Sequence, residues 1–195
     1  MTAEFSQSGL PHGVVGQFVG WIMRWYNSPD NQWAISLLKA DASDRILEVG
    51  FGPGQAIKML AEANPSTKIA GIEHSETMLA AARRLNHAEI AAGQVNVQRG
   101  KAEQLPFVDA SFDRALAVNC IYFWKEPITG LRELHRVLKP GGCAVITVRD
   151  SGTKAYDAFQ PKKLTQLSRE AGFLSVGLHR NGVRSHPLLA VVAVK

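Results

Sequence analysis

The chain has 195 residues, of which 46% are apolar and 20% are charged, and 22 Lys or Arg against 17 Asp or Glu residues give a formal net charge of +5. This size and composition predict one globular domain and exclude an intrinsically disordered chain. The longest apolar run, Leu188–Val194, has only seven residues, whereas a transmembrane helix needs about 20.

The first 44 residues show helical periodicity. Apolar side chains recur at i, i+4, i+7, i+8 and i+11 within residues 14–25, which predicts one amphipathic helix. A second helix is predicted to begin at Asp30 and to carry Trp33, Leu37 and Leu38 on its apolar face. Residues 1–44 are therefore expected to form a helical segment that precedes the core of the domain.

From residue 45 to the end of the chain, strand-like and helix-like segments alternate, which predicts a parallel sheet flanked by helices. The last two strands are separated by too few residues for a helical crossover, so they are expected to pair antiparallel. The predicted fold is an α/β, Rossmann-like three-layer sandwich with a seven-stranded, mostly parallel sheet and an antiparallel last strand. The predicted strands cover residues 45–49, 68–72, 95–97, 112–118, 144–148, 173–178 and 188–194.

Two helices of this core have recognisable ends. Leu131, Leu134 and Leu138 predict a helix that stops at residues 139–142, where proline and glycine cannot continue it. A later helix is predicted to begin at Pro161, since proline suits the first helical turn.

A glycine-rich turn, residues 50–54, follows the first predicted strand and precedes a helix. Glycines let a backbone approach a ligand closely, and a helix N-terminus offers unpaired N–H groups to a polar or anionic group. A dinucleotide-binding turn would place a third glycine where this chain has Gln55, while the additional glycine here is Gly54. This pattern disfavours NAD or FAD without excluding them.

Glu73 ends the second predicted strand. A carboxylate at this place can accept hydrogen bonds from both hydroxyls of a ribose. Glu73 alone fits equally well as a surface glutamate that opens a helix. In combination with the glycine-rich turn it favours a nucleoside ligand.

Five segments stand out by their order and spacing, namely residues 46–54, 71–79, 102–107, 111–113 and 134–142. Together they resemble the motifs of the class I S-adenosylmethionine-dependent methyltransferases. The subgroup most resembled includes ubiquinone/menaquinone-biosynthesis methyltransferases and many small-molecule enzymes. The resemblance implies that the chain is a methyltransferase with S-adenosylmethionine as its cofactor.

The resemblance also implies a set of cofactor-binding residues. Gly50 and Gly52 would abut the methionine and ribose, Glu48 would orient the ammonium group, and Glu73 would hold the ribose hydroxyls. His74 and Met78 would lie beside the adenine, Ala102 and Glu103 at its edge, and Asn119 with Cys120 against the methionine portion. The complete implied set is Glu48, Gly50, Phe51, Gly52, Glu73, His74, Met78, Ala102, Glu103, Asn119 and Cys120.

One position departs from the pattern of this family. Many relatives have an acidic residue just before Ala102 that accepts from the adenine amino group, and this chain has Lys101. Adenine recognition is therefore expected to depend on backbone groups or on Glu103.

Aromatic residues point to an acceptor site. Tyr122 and Phe123 follow the fourth predicted strand at the edge where open α/β sheets bind ligands. With Trp21, Trp25 and Tyr26 they would form a wall for an apolar or planar acceptor. The two tryptophans fit equally well as residues that pack their helix onto the sheet.

Methyl transfer is a displacement at carbon, so alignment of the nucleophile and exclusion of water supply most of the acceleration. A general base is needed only where the nucleophile must lose a proton early. The sequence singles out no catalytic residue among its candidate bases, which are His12, Tyr26, Tyr122, Asp150 and His186.

The remaining composition bears on partners and location. The two cysteines, Cys120 and Cys143, lack the spacing of a zinc site and are expected to be free thiols in a reducing cytoplasm. In residues 149–195, eight basic residues stand against three acidic ones, but they are spread out, which disfavours nucleic acid. The expected acceptor is a small molecule, and the alternatives are RNA or protein methylation, or a nucleoside- or NAD-binding protein without methyl transfer.

Overall fold

The structure is a computed structural model and describes residues 28–150, 159–183, 185 and 187–195. The predicted helix within residues 14–25 lies outside these residues. So do five candidate site residues, namely His12, Trp21, Trp25, Tyr26 and His186.

In the described residues, seven strands form one sheet with the order β3-β2-β1-β4-β5-β7-β6. All neighbouring pairs are parallel except those of β7, which runs antiparallel to both β5 and β6. The predicted fold class and the antiparallel pairing of the last two strands are confirmed. The strands are β1 Arg45–Val49, β2 Lys68–Glu73, β3 Val95–Arg99, β4 Phe112–Val118, β5 Leu138–Arg149, β6 Ser175–Arg180 and β7 Leu188–Val194.

Helices cover both faces of the sheet, because successive strand residues point to opposite sides. Ile46 packs with Leu60 and Leu79 on one face, whereas Leu47 packs with Leu131 and Leu164 on the other. The first face is covered by α1 to α3, and the second by α5 and α6. The α-helices are α1 Ser28–Leu38, α2 Gln55–Ala63, α3 Glu76–Leu85, α4 His87–Ala91, α5 Pro127–Val137 and α6 Pro161–Glu170, with a 3-10 turn at Ile121–Phe123.

The predicted apolar face of α1 is correct for Leu38, which is buried, and for Leu37, which packs against the core, but it omits two buried polar residues. The buried residues of this helix are Asp30, Asn31, Ala34 and Leu38, whereas Trp33 is only half-buried. The helix turns this face inward because the Asp30 carboxylate forms hydrogen bonds at the end of the sheet. Apolar periodicity contains no information about such a polar anchor.

The predicted ends of α5 and β5 are wrong. The helix ends at Val137, and residues 138–142 continue as the start of β5 instead of forming a turn. Leu138 pairs with Phe112 of β4, and the register then shifts before Arg114 pairs with Cys143. Gly141, which has a left-handed φ of +76°, lies within this irregular stretch of β5.

The sheet order places a crevice at the carboxyl ends of β1 and β4. The chain leaves β1 toward β2 on one side, and β4 lies on the other side, so the connections diverge here. Ligands of open α/β sheets bind at such a point. Among the described residues, no helix has the length and apolar character required to cross a membrane.

Candidate functional site

The turn after β1 has a left-handed backbone at alternate residues, with φ of +72° at Gly50, +55° at Gly52 and +81° at Gly54. A Cβ atom added to Gly50 would lie 2.7 Å from the Cβ of Cys120. One added to Gly52 would have nothing within 4 Å. A glycine is thus needed at position 50 because Cys120 packs against it, while Gly52 borders open space that a ligand can enter.

Gly54 lets α3 approach the turn closely. An added Cβ would lie 2.8 Å from the Cβ of Ala82 and 2.7 Å from Nδ2 of Asn86. The buried Asn86 donates from Nδ2 to the Gly54 carbonyl oxygen at 3.1 Å. The close helix packing that a dinucleotide-binding turn obtains from a glycine at the position of Gln55 is provided here by Gly54. Sequence reasoning missed Asn86, whose partner lies 32 residues away.

Glu73 lies against this turn at the end of β2. Its Oε2 accepts from the Gly52 N–H at 2.9 Å, and its Oε1 accepts from the Ser75 N–H at 2.8 Å. A carboxylate oxygen can accept two hydrogen bonds, so each oxygen retains acceptor capacity for a hydroxyl group. The two N–H groups fix the orientation of the half-buried carboxylate at the rim of the turn.

Glu48, near the end of β1, is a buried carboxyl group with an exposed fraction of 2%. Its Oε2 atom has no hydrogen-bond partner among the described residues. Burial, with a contribution from the charge of Glu73, raises the pKa of Glu48 to about 8. A buried carboxyl group without a partner is costly, and perturbed groups of this kind concentrate at functional sites. A cationic ligand group would supply the missing partner.

Asn119 and Cys120 directly follow β4, beside the glycine-rich turn. The buried Cys120 thiol donates to the Val49 carbonyl oxygen at 3.1 Å, and burial together with the charges of Glu73 and Glu48 raises its pKa. Cys120 is therefore a neutral packing group. Asn119 has a left-handed φ of +51°, donates to Oδ2 of Asp30 at 2.6 Å, and accepts from the Tyr122 hydroxyl at 3.2 Å.

The residues predicted beside the adenine lie in different environments. Met78 and Ala102 are buried, whereas the His74 side chain is exposed. The Glu103 carboxylate accepts from the Glu126 N–H at 3.2 Å, next to the start of α5. The Glu103 carboxylate therefore already has a hydrogen-bond donor within the protein. Lys101 is exposed.

The Phe51 ring does not line the crevice. It lies against Gly71 of β2, where an added Cβ would be 2.6 Å from the ring, and it belongs to the core under α2. Only the backbone of Phe51 is part of the turn, so the predicted cofactor contact at this residue concerns its backbone.

The aromatic residues after β4 form a small cluster. Tyr122 stands edge-on to Phe123 and to Phe159, with ring centroids 5.3 and 5.9 Å apart. Phe123 is 43% exposed, which leaves an apolar surface beside the crevice. The candidate base Asp150 instead accepts from Nε of Arg180 at 3.4 Å, which places it in an ion pair between β5 and β6.

Sequence reasoning also missed Glu133 and Arg136 of α5, which hold the loop that contains Ala102 and Glu103. Arg136 donates to the carbonyl oxygens of Leu105 and Phe107 at 3.0 and 2.8 Å. Glu133 accepts from the Leu105 N–H at 2.8 Å. An i, i+3 pair of opposite charge on a helix is typical of a surface ion pair and gives no sign of the contacts with the loop. Among the described residues, no group of three or more His, Cys, Asp or Glu side chains is arranged to bind a metal ion.

Comparisons with known proteins agree with this geometry. The family model of the methyltransferase domain matches residues 47–146. The uncharacterized methyltransferase YdaC of Bacillus subtilis is 31% identical over 181 residues, which cover 89% of this chain and 94% of YdaC. The ubiquinone/menaquinone biosynthesis C-methyltransferase UbiE of Geotalea daltonii is 36% identical over 121 residues, which cover 60% of this chain but only 52% of that protein.

A solved structure shows the same fold. The crystal structure of an S-adenosylmethionine-dependent methyltransferase from Aquifex aeolicus superposes with a TM-score of 0.73 at 19% identity. The superposition covers 90% of this chain and 98% of that one.

Proposed function

This chain belongs to the class I S-adenosylmethionine-dependent methyltransferases, and from that premise we propose that it methylates a small-molecule acceptor at the carboxyl edge of its sheet. The enzyme class and the cofactor follow from membership of the family. The acceptor class and the roles of individual residues are the proposal.

The residues at the crevice fit the cofactor. S-adenosylmethionine supplies a methyl group activated by its sulfonium and carries a cationic ammonium group. Glu48 has a buried carboxyl oxygen without a partner among the described residues, and it lies on the strand that leads into the turn. The observation that carries the proposal is this buried carboxyl group on the strand that leads to Gly52, whose α-carbon borders open space.

Each end of the cofactor has its own set of residues. Glu48 would hold the ammonium group, and Gly50, Asn119 and Cys120 would line the methionine portion. The Glu73 carboxylate, already oriented by two backbone N–H groups, would accept from the ribose hydroxyls. The loop of Ala102 and Glu103 would lie at the adenine edge, together with Met78.

The chain would accelerate the reaction by alignment and by exclusion of water. Of the candidate bases in the described residues, Asp150 is ion-paired with Arg180, and the Tyr122 hydroxyl proton is bonded to Asn119. Both groups are thus committed to the structure. We therefore expect neither Asp150 nor Tyr122 to act as a general base.

Two observations support a small-molecule acceptor. The name of the Geotalea daltonii relative describes methylation in quinone biosynthesis. In this chain, the aromatic cluster of Tyr122, Phe123 and Phe159 lies beside the crevice and suits an apolar or planar molecule. Residues 1–44, and with them Trp21, Trp25 and Tyr26, are proposed to cover the acceptor.

Calorimetry tests the cofactor site. Wild-type protein is titrated with S-adenosylhomocysteine, and the same titration is made with Glu73→Ala and with Glu76→Ala as the matched control. We expect Glu73→Ala to weaken binding by about tenfold or more, because hydrogen bonds to a charged group are lost. Glu76 is exposed and pairs with Arg99 at the surface, so its removal should leave affinity unchanged. Absence of binding to folded wild-type protein would overturn the proposal.

Isotope labelling tests the acceptor class. The protein is incubated with a cell extract and methyl-labelled S-adenosylmethionine, and the extract is then separated into small molecules, RNA and protein. Label in one small molecule supports the proposal. Label confined to RNA or protein contradicts the proposed acceptor while leaving the methyltransferase assignment intact.

A further inference from the structure

We propose that Asp30 of α1 is a positioning residue that fixes the methionine end of the cofactor site through Asn119. The inference rests on the proposed cofactor site. Asp30 lies outside residues 47–146, the part of the chain that the family model matches. The helix that carries it would therefore take part in building the site.

The contact between Asp30 and Asn119 joins two distant parts of the chain. Asp30 has an exposed fraction of 0%, and its Oδ2 accepts from Nδ2 of Asn119 at 2.6 Å. Oδ2 also lies 3.5 Å from a terminal nitrogen of Arg149, at the end of β5. A short hydrogen bond to a carboxylate is among the stronger polar contacts of a protein interior. It ties α1 to the carboxyl ends of β4 and β5.

The carboxylate also determines how the Asn119 amide is oriented. An ionised carboxylate can only accept, so the NH2 group of Asn119 must face Asp30. The amide oxygen then faces the opposite way, where it accepts from the Tyr122 hydroxyl at 3.2 Å. The hydrogen bonds thus run in one direction, from Tyr122 to Asn119 to Asp30, and the acceptor-only carboxylate of Asp30 sets that direction.

The backbone of Asn119 explains why this orientation matters. Its φ of +51° is unusual for a residue other than glycine, and such conformations persist only where surrounding contacts determine them. The Asn119 N–H donates to the Thr147 carbonyl oxygen at 3.1 Å, which fixes one side of the residue. The side-chain bond to Asp30 fixes the other. The conformation directs the next residue, Cys120, against Gly50.

The adenine end is held by other contacts. Glu73 is oriented by Gly52 and Ser75, and the loop of Ala102 and Glu103 is held by α5. None of these bonds includes Asp30. Loss of the Asp30 contact should therefore weaken the interaction with the amino-acid portion of a ligand and leave the adenosine portion unaffected.

Two ligands separate these effects. S-adenosylhomocysteine has the amino-acid portion, and 5′-methylthioadenosine lacks it. We expect Asp30→Asn to lower the affinity for S-adenosylhomocysteine by about tenfold or more, and the affinity for 5′-methylthioadenosine by less than about twofold. Asp41→Asn is the matched control, since Asp41 is an exposed aspartate whose salt bridge to Arg114 spans 4.0 Å. A merely structural role would lower the affinity for both ligands together.

An exchange variant adds a second test. In Asp30→Asn/Asn119→Asp the donor and acceptor are reversed, so the hydrogen bond can form again, and the new carboxylate can still accept from Tyr122. We expect the double variant to bind S-adenosylhomocysteine more tightly than either single variant, which is the signature of a direct interaction. If Asp30→Asn does not fold, Asn119→Gly replaces it, because glycine adopts the left-handed backbone without strain.

The outcomes are distinct. Equal losses for both ligands in Asp30→Asn, or a double variant no better than the single ones, would overturn the role of Asp30. Wild-type protein that binds neither ligand would overturn the proposed cofactor site itself.

Discussion

Gly50 and Gly52 share a left-handed backbone but differ in what lies beside their α-carbons. Alanine at either position costs roughly 1–2 kcal/mol through the backbone alone. At Gly50 the added methyl group also overlaps Cys120, whereas at Gly52 it enters open space. We expect Gly50→Ala to lower the melting temperature strongly, and Gly52→Ala to remain folded but to lose most of its affinity for S-adenosylhomocysteine.

The control for this pair is Gly93→Ala. Gly93 has a φ of +66° and no atom within 4 Å of an added Cβ, so its conformational cost matches that of Gly52. It precedes β3 and so lies at the amino ends of the parallel strands, whereas Gly52 lies at their carboxyl ends. Equal losses of affinity in Gly52→Ala and Gly93→Ala would show that the open space at Gly52 is not part of the ligand site.

Glu48 makes the stability of the cofactor-free protein depend on pH. Its folded pKa of about 8 is raised from an ordinary value of 4.5, so the folded state holds a proton that the unfolded state has lost between these values. Stability therefore falls as the pH rises from about 4.5 to 8, by up to about 5 kcal/mol. Glu48→Gln removes this dependence, so at pH values above 8 the variant should melt at a higher temperature than wild type.

Near pH 4.5 the two proteins should melt at similar temperatures, since Glu48 is then protonated in the folded state. The same substitution should lower the affinity for S-adenosylhomocysteine, because a neutral amide attracts the ammonium group less than a carboxylate does. A variant that melts below wild type above pH 8 would show that the Glu48 carboxyl group has a stabilising partner.

At the level of elements, α5 determines the position of the loop that contains Ala102 and Glu103, which we propose to lie at the adenine edge. Arg136 donates hydrogen bonds to the Leu105 and Phe107 carbonyl oxygens. Glu133 accepts hydrogen bonds from both Arg136 and the Leu105 N–H. The hydrogen bond from Arg136 holds the pKa of Glu133 below its usual range. A lysine cannot reproduce the several donors of a guanidinium group.

Arg136→Lys should therefore release the loop and weaken adenosine binding several-fold. We expect similar losses for S-adenosylhomocysteine and 5′-methylthioadenosine, in contrast to Asp30→Asn, where only the former is affected. Arg132→Lys, an exposed position on the same helix, is the control. If Arg136→Lys affected only S-adenosylhomocysteine, the loop would lie at the methionine end instead.

The elements also show which information the sequence contains. The glycine-rich turn and Glu73 were predictable because each lies at the end of a strand whose apolar residues mark its bounds. The polar part of the buried face of α1 was not predictable, because Asp30 reaches a partner 89 residues away. The start of β5 was not predictable either, since Pro140 and Gly141 ordinarily end structure, and here pairing with β4 overrides that preference.

At the level of the whole molecule, the sheet order separates the basic surface from the crevice. The exposed cations Lys162, Lys163 and Arg169 lie on α6, which packs against β6 at the edge of the sheet. In the sheet order, β6 is four strands from β1, or roughly 19 Å at about 4.8 Å per strand. Phosphates that a polyanion places against α6 would then lie roughly 19 Å or more from the proposed cofactor site.

This separation predicts that charge reversal at α6 leaves methyl transfer unchanged. Lys162→Glu/Lys163→Glu should label the small-molecule fraction of an extract as wild type does, and labelling should vary little between about 50 and 200 mM salt. An RNA acceptor held by several phosphate contacts would instead lose orders of magnitude in affinity over this range. Loss of labelling in the charge-reversed variant, together with a steep salt dependence, would identify the basic edge as the acceptor surface. Because the substituted side chains are exposed, their replacement should leave the melting temperature unchanged, so either result reports on binding and not on folding.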